Sequence, residues 1–177
     1  AVAAVTGGAR GLDLTMNGIA IHCGLAAMEE VVVILEVLYG IETGINLEKL
    51  RDYSKVVVEA TGIDVHPNKP IVGDHAFIVE LEPFVKDVVE GRTLGQERVH
   101  MIAPSLVGHA NEVVWGENTI HGPATKAKLT ALGLPNDENS VGIVIKAIET
   151  ELENKKKYPI YLTELEVAEL ANKVLGD

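Results

Sequence analysis

The sequence predicts an α/β segment at the start of the chain, followed by a mostly helical region. Its first 40 residues read as helix, glycine turn, short strand and helix, which is the rhythm of a β/α-barrel or a doubly wound sheet. Beyond them, apolar residues recur at three- and four-residue spacing in several segments, the pattern of amphipathic helices. Hydrophobic residues make up 47% of the 177 residues, which indicates a folded rather than a disordered chain.

The α/β segment begins with short elements. Small apolar residues at 1–6 indicate the end of a helix, which the Gly-Gly pair at 7–8 would stop. Residues 12–16 alternate between apolar and polar types and predict a strand, closed by Asn-Gly at 17–18. Because one strand cannot form a sheet, we expect the rest of that sheet to come from elsewhere.

The clearest helical pattern covers residues 26–38. Its charged residues are Glu29, Glu30 and Glu36, and they lie along one stripe of the helix. Since the other faces are apolar, we expect this helix to be buried on most sides. A second helix is predicted over 47–60, where apolar residues keep helical spacing.

The remaining elements are predicted from periodicity and capping residues. They are a helix over 76–90 that contains Pro83, a strand over 112–115, and helices over 124–132, 140–154 and 164–175. The last helix should start with a capping box formed by Thr163 and Glu166.

Composition excludes several classes of function. The net charge of −11 disfavours binding to nucleic acid, because phosphate backbones are bound mainly through Lys and Arg. The longest apolar run, 31–35, is far shorter than the roughly 20 residues that span a bilayer. No apolar signal peptide opens the chain, and Cys23 has no cysteine with which to pair. We therefore expect a cytoplasmic protein.

Two segments near the start carry residue types that can do chemistry. The glycine-rich segment 6–11 would run from a helix to a strand, whereas phosphate-binding loops run from a strand to a helix, so a plain turn is favoured. His22 and Cys23 are both good metal ligands. Adjacent residues rarely chelate one ion together, which favours a packed thiol beside a partly exposed imidazole.

The other candidate groups are scattered. Glu80 and Glu82 are carboxylates in an apolar segment, and on a helix an i, i+2 pair would point apart, which argues against a paired acid and base. Phe77 and Trp115 are expected in the core. The remaining histidines show no order typical of a catalytic triad: His66, His75, His100, His109 and His121.

Several short motifs occur in the same order as in one enzyme family. They stand at 13–18 (Asp-Leu-Thr-Met-Asn-Gly), 25–32 (Leu-Ala-Ala-Met-Glu-Glu-Val-Val), 38–45, 61–63, 67–73 (Pro-Asn-Lys-Pro-Ile-Val-Gly) with 76–77, 104–108 and 126–129. By these motifs the chain resembles the C-terminal part of the 2-isopropylmalate, homocitrate and citramalate synthase family, over essentially its whole length.

The resemblance implies a fold and an activity. Members of that family condense an acyl-CoA with a 2-oxo acid in a metal-dependent β/α-barrel, and helical subdomains after the barrel reach into a partner subunit. By this match, residues 1–40 would be the last helix-strand-helix of a TIM-type barrel, 41–75 a helical linker subdomain, and 76–177 a second, mostly helical subdomain. The regulatory domain of some members has no counterpart here.

Departures from the family pattern fall on the residues that do the chemistry. The earlier barrel strands, with the metal-binding Asp and His-x-His, have no match. Leu25 stands where the family motif Gly-Glu-Arg-Ala-Gly-Asn has its metal-binding Asn, and His22 stands in the same motif. In the segment that matches His-Glu-Ser-Gly-Ile-His, Glu80 agrees while Phe84 replaces the catalytic His. The family's Gly-Lys-His-Ser-Gly is altered at 116–122.

Three hypotheses follow. The chain is a C-terminal subunit or fragment of a synthase-like acyltransferase of amino-acid biosynthesis, completed by a chain that carries the rest of the barrel or by a second copy. Alternatively, it is a non-catalytic assembly or regulatory subunit of the same family, or an unrelated helical module with a fortuitous resemblance. Under the first hypothesis, His22 and Glu80 are the catalytic candidates. This chain alone would bind no cofactor or metal, while the complete assembly would hold a divalent metal and take a 2-oxo acid and an acyl-CoA.

Overall fold

The computed structural model describes residues 1–91, 100–117, 119, 122–155 and 160–176. The chain divides into two compact units. The first unit consists of Ala1–Phe77 with Pro104–Ala110, and the second unit consists of Ile78–Ala103 with Asn111–Asp177. Helices dominate both units, as predicted. The barrel origin of residues 1–40 and the three-part division of the chain stay predictions.

The first unit opens with helix α1, Val2–Thr6, which ends at Gly7 as predicted. The strand predicted over 12–16 is wrong. In its place Thr15 makes an isolated parallel bridge with Ala27, and a 3-10 turn follows at Met16–Gly18. A strand is stable only beside another strand that takes up its backbone groups, and in the described part of the chain the bridge to Ala27 is the pairing this segment makes.

Helix α2 confirms the main helical pattern. It runs over Met28–Val33 and continues as a π-helical segment at Ile34–Leu38. Burial is less complete than expected, because Val31 to Val33 and Leu35 are buried whereas Leu38 is 68% exposed. On the charged stripe, Glu29 is fully buried.

Helix α3, Leu50–Thr61, confirms the second predicted helix and is preceded by a 3-10 turn at Leu47–Lys49. Asn46 starts the turn, since its side chain accepts a hydrogen bond from the backbone amide of Glu48. Gly62 ends the helix with a φ of 67°, a conformation in which a side chain would be strained.

The second unit contains a small mixed sheet. Strands β1, Ile78–Val79, and β3, Leu162–Thr163, lie on either side of β2, Glu112–Trp115. β1 is parallel to β2, with Ile78 opposite Glu112, and β3 is antiparallel to it, with Leu162 opposite Trp115. The strand predicted over 112–115 is therefore confirmed.

Helices make up most of the rest of the second unit in the part of the chain that the structure describes. The helix predicted over 76–90 starts too early, because residues 78–79 pair with β2; helix α4 is Glu82–Val89. Pro83 fits the first turn, where a missing N–H costs no hydrogen bond. Helices α5, α6 and α7 are Pro123–Leu132, Glu138–Asn154 and Glu164–Leu175, close to their predicted bounds.

The caps of the last two helices are side-chain hydrogen bonds. Asp137 accepts from the backbone amides of Asn139 and Ser140 at the start of α6. The predicted capping box of Thr163 and Glu166 is present at the start of α7.

The core of the second unit lies where these helices cover β2. Trp115 is fully buried there, as expected, among aliphatic side chains that include Leu129, Val144 and Ile148. Among the described residues, no helix is long and apolar enough to cross a membrane.

Candidate functional site

His22 lies at the tip of a tight loop in the first unit. The loop closes through a hydrogen bond from the amide of Leu25 to the carbonyl of Gly18, at 3.2 Å, and another from Gly24 to Ile21, at 3.0 Å. Gly24 has a φ of 86°, and a Cβ there would collide with the Gly18 carbonyl, so only glycine fits. His22 also takes a positive φ, 57°, and its side chain is exposed.

Cys23 corrects one expectation from the sequence. Its thiol is exposed rather than packed. The loop therefore presents an imidazole and a thiol to solvent side by side, while the apolar side chain of Leu25 is 51% exposed just after them.

A cleft of about 350 Å³ lies between this loop and the segment 63–69 of the same unit. The polar side chains that line it come from both segments: Asn17, His22, Cys23, Asp64, His66 and Lys69. His66 is partly fixed, because its Nδ1 accepts a hydrogen bond from the amide of Asn68 at 3.1 Å. The sequence did not indicate that His22 and His66 line one cleft, since 44 positions separate them.

An ionic cluster lies beside this cleft. Lys69 places its ammonium group 2.7 Å from Oε1 of Glu30 and 3.2 Å from Oε1 of Glu29. The side chain of Glu29 is fully buried and that of Lys69 is 18% exposed. The other oxygen of Glu29 accepts a hydrogen bond from the backbone amide of Asn17 at 3.0 Å. A buried carboxylate needs such partners, because the loss of its hydration must be offset.

Electrostatics keep Lys69 charged. Partial burial alone would lower the pKa of Lys69, but its hydrogen bonds to Glu30 and Glu29 and their negative charges outweigh burial and raise the pKa above its ordinary value. Lys69 is thus a cation at neutral pH.

The polar network extends from Asn17 to helix α3. The hydroxyl of Ser54 donates to Oδ1 of Asn17 at 2.6 Å, and the side-chain amide of Asn17 donates to the carbonyl of Ser54 at 3.2 Å. Asn17 itself has a φ of 62°, a conformation that asparagine tolerates better than most residues. This pair ties the Asn-Gly turn to α3.

Glu80 lies in the second unit, after β1 and before α4, so it is not on a helix as assumed from the sequence. Its side chain is half-buried against the backbone of Gly116, where a Cβ would collide with its carboxylate. Glu82 has a different role. Its carboxylate accepts from the amide of Ala124 at 2.7 Å, which caps the first turn of α5. His22 and Glu80 belong to different units.

His109 is the buried histidine of the first unit. Its ring lies 4.9 Å from that of Phe77, which is buried as expected. Burial and the positive charge of Arg51, opposed by Asp74, together lower the pKa of His109 to about 4. The imidazole is therefore neutral at physiological pH. His121 and part of the altered motif at 116–122 lie outside the described residues.

The described residues do not form a metal centre. No group of three His, Cys, Asp or Glu side chains among them is placed to hold an ion. A catalytic metal needs about three protein ligands. The divalent metal that the resemblance implies is thus not matched by the donor set of the described part of this chain, and Leu25 contributes an apolar side chain where the family has an amide.

Comparison with known proteins supports the resemblance. The homocitrate synthase of Methanopyrus kandleri is 41% identical over 149 residues, which cover 84% of this chain and 36% of that protein. The putative (R)-citramalate synthase of the same organism is 35% identical over 99% of this chain and 33% of its own length. The probable 2-isopropylmalate synthase of Ignicoccus hospitalis is 34% identical over 99% of this chain and 42% of its own length.

These matches cover 84–99% of the chain, but the chain spans only 33–42% of the length of these curated relatives. No protein-family model matches it. The predicted resemblance to the C-terminal part of these synthases is confirmed, and the hypothesis of a fortuitous resemblance is wrong.

Proposed function

Because the chain is similar over 99% of its length to one part of the 2-isopropylmalate, citramalate and homocitrate synthases, we propose that it supplies the corresponding part of a synthase-like acyltransferase. The assembly would condense an acyl-CoA with a 2-oxo acid. A chain that carries the rest of the barrel, a second copy of this chain, or both would complete it. The similarity along the whole chain is the observation that carries this proposal.

His22 and Glu80 are the residues through which this chain would act. A Claisen-type condensation needs a group that takes the α-proton of the acyl thioester and a group that protonates the new alkoxide. His22 offers an exposed imidazole at the mouth of the cleft, and such a ring can do either. Glu80 is held against Gly116, which leaves its carboxylate few orientations and suits it to orient another group.

The metal chemistry would belong to the completing chain. A divalent ion in such an assembly would polarise the carbonyl of the 2-oxo acid. Since the described residues of this chain provide no set of three ligands, we assign the ligands to the partner and assign none to this chain.

A non-catalytic role in assembly is the second candidate, and two observations favour it. Leu25 cannot ligate a metal. Phe84, which stands where the family has a catalytic histidine, packs against the apolar core of the second unit. A side chain held there cannot reach a neighbouring active site. The scaffold would then be kept for its architecture alone.

A segment exchange distinguishes the two candidates. The matching part of the Methanopyrus kandleri homocitrate synthase is replaced by this chain, and release of CoA thiol from acetyl-CoA is measured with pyruvate, 2-oxoisovalerate, oxaloacetate and 2-oxoglutarate. We expect turnover with at least one of these acids. His22→Ala should lower kcat about 100-fold through loss of an acid-base group. Glu80→Ala should lower it about 100-fold through misplacement of the group that Glu80 orients.

Cys23→Ser is the matched control, because it changes the exposed neighbour of His22 in the same loop. It should leave turnover unchanged. Turnover that survives both His22→Ala and Glu80→Ala would favour the assembly role. So would an exchanged protein that assembles like the parent in sedimentation but releases no thiol.

A further inference from the structure

The ionic cluster of the first unit connects segments that are distant in sequence. Lys69 comes from the segment that forms one wall of the cleft, and its two carboxylate partners stand in the first turn of α2. From Glu29 the contacts continue to the backbone of Asn17, the residue before the loop that carries His22. Asn17 is held on its other side by Ser54.

At the base of the loop, backbone hydrogen bonds join Thr15 to Ala26 and Met28. Its closing hydrogen bonds run within the loop, from Leu25 to Gly18 and from Gly24 to Ile21. The contacts of Asn17 with Glu29 and Ser54 add a second anchor to the stem of this loop, whose tip is His22. The buried carboxylate of Glu29 accepts from the amide of Asn17 through one oxygen and contacts Lys69 through the other, so it connects Lys69 to the stem.

We propose that Lys69 is a positioning residue for the site: by holding Glu29 it fixes Asn17 and, through Asn17, the position of His22. The expected effect of Lys69 on catalysis rests on the function proposed above. The expected effect of Lys69 on the order of the loop is independent of that function.

Another lysine pair serves as a control within the same chain. Lys128 places its ammonium group 2.6 Å from Oε1 of Glu164 in the second unit, and the Lys128 side chain is 11% exposed. Its partner is half exposed and stands at the start of α7. This pair resembles the Lys69 cluster in distance and in burial of the cation, but it belongs to the unit that does not contain His22.

Cys23 allows the order of the loop to be measured directly, because it is the only cysteine of the chain and neighbours His22. A nitroxide spin label on its exposed thiol reports the order of the loop by electron paramagnetic resonance. The informative variant is Lys69→Met with Glu29→Met, because apolar replacement of a buried ion pair preserves folding more often than removal of one partner.

We expect the label to be immobilised in the parent and in Lys69→Arg, which keeps the cation. It should become mobile in Lys69→Met/Glu29→Met while circular dichroism stays that of a folded chain. Lys128→Met/Glu164→Gln should leave the label immobilised. In the segment exchange, Lys69→Met/Glu29→Met should lower kcat about 10- to 100-fold with little change in KM, because misplacement of a catalytic group affects chemistry more than binding.

An immobilised label in folded Lys69→Met/Glu29→Met overturns the proposal, whatever the activity. If that variant does not fold, Lys69→Arg becomes the test. A label that is mobile in Lys69→Arg, which retains the cation, also overturns the proposal. A segment exchange that is inactive with the parent sequence refutes the proposed catalysis and leaves the label experiment as the test of positioning.

Discussion

The two units differ in the side chains that they bury and in those that they leave exposed. The second unit has a continuous apolar core around Trp115, Leu129 and Ile148, covered by helices on a small sheet. The first unit has a smaller set of buried aliphatic residues and buries a carboxylate, Glu29, beside them. At the same time it leaves many large apolar side chains exposed: Ile21, Leu25, Val37, Leu38, Tyr39, Ile41, Ile45, Tyr53, Val56, Ile63 and Leu106.

The two units therefore differ in how much apolar surface each leaves exposed. Proteins seldom leave many large apolar side chains in water unless another surface covers them, and the second unit exposes fewer of them than the first. Under the proposed function, the chain that completes the assembly would cover these side chains of the first unit. Each unit also has its own probe, because the only tryptophan lies in the second and the only cysteine in the first.

The largest effect is expected from a cavity in the closed core. Leu129→Ala removes a side chain that is 1% exposed and should lower the free energy of unfolding by about 2–5 kcal/mol. Leu165→Ala changes an exposed leucine of the same unit and should alter it by no more than about 0.5 kcal/mol. Urea unfolding followed by Trp115 fluorescence measures both. Equal effects would mean that the core is not closed.

A glycine pair compares the backbones of the two units. A Cβ on Gly73 would lie 2.6 Å from the carbonyl oxygen and 2.7 Å from the amide nitrogen of Lys69, so Gly73→Ala should destabilise the first unit by about 1–3 kcal/mol. Gly142 lies in α6 with open space around it, and Gly142→Ala should stabilise the second unit by about 0.5–1 kcal/mol. Circular dichroism and Trp115 fluorescence measure the two changes. If both variants changed the free energy of unfolding in the same direction, the predicted difference between the two glycines would be wrong.

Acid should weaken the first unit through His109. Its pKa is about 4 when folded and about 6.5 when unfolded, so the unfolded chain takes up the proton first. The contribution of His109 to stability is therefore complete above pH 6.5 and is lost as the pH falls towards 4, with a slope of up to about 1.4 kcal/mol per pH unit. Denaturant unfolding between pH 7.5 and 4.5 measures this slope.

Two variants isolate the contribution of His109. His109→Gln should flatten the pH dependence, while His22→Gln, a change at an exposed site, should not. The second unit has its own histidine, His100, whose pKa burial also lowers, so the difference between variant and parent is the quantity to compare. A slope that is unchanged in His109→Gln would contradict the assignment.

The smallest effect concerns metals. A ligand that binds only the folded state raises stability by RT ln(1 + [L]/Kd). Because the described residues provide no three-ligand group, Zn²⁺, Mg²⁺ or Mn²⁺ should leave the melting temperature of the chain unchanged. Calorimetric titration is the direct check, and one tight stoichiometric site would refute the assignment of the metal ligands to a partner.

Sequence reasoning located most of the helices because their signals are local. Periodicity and the capping box of Thr163 and Glu166 both act within a few positions. Strands were harder. Ile78 pairs with Glu112, far along the chain, and a two-residue strand has no periodicity of its own to detect.

The candidate site was predictable only in part, for the same reason. His22 drew attention through its neighbour and its motif, but the burial of Glu29 depends on Lys69, 40 positions away. A charged residue in an apolar helix ordinarily marks the solvent face. Here Lys69, which lies between two prolines of the 67–73 motif, pairs with Glu29 and allows that carboxylate to be buried.

Sedimentation velocity of the unmodified chain tests most directly the claim that the first unit is incomplete by itself. At micromolar concentration we predict self-association, or a complex with a co-purifying chain, that buries the exposed apolar side chains of the first unit. A single monodisperse species of 19.0 kDa, stable over the concentration series, would contradict it.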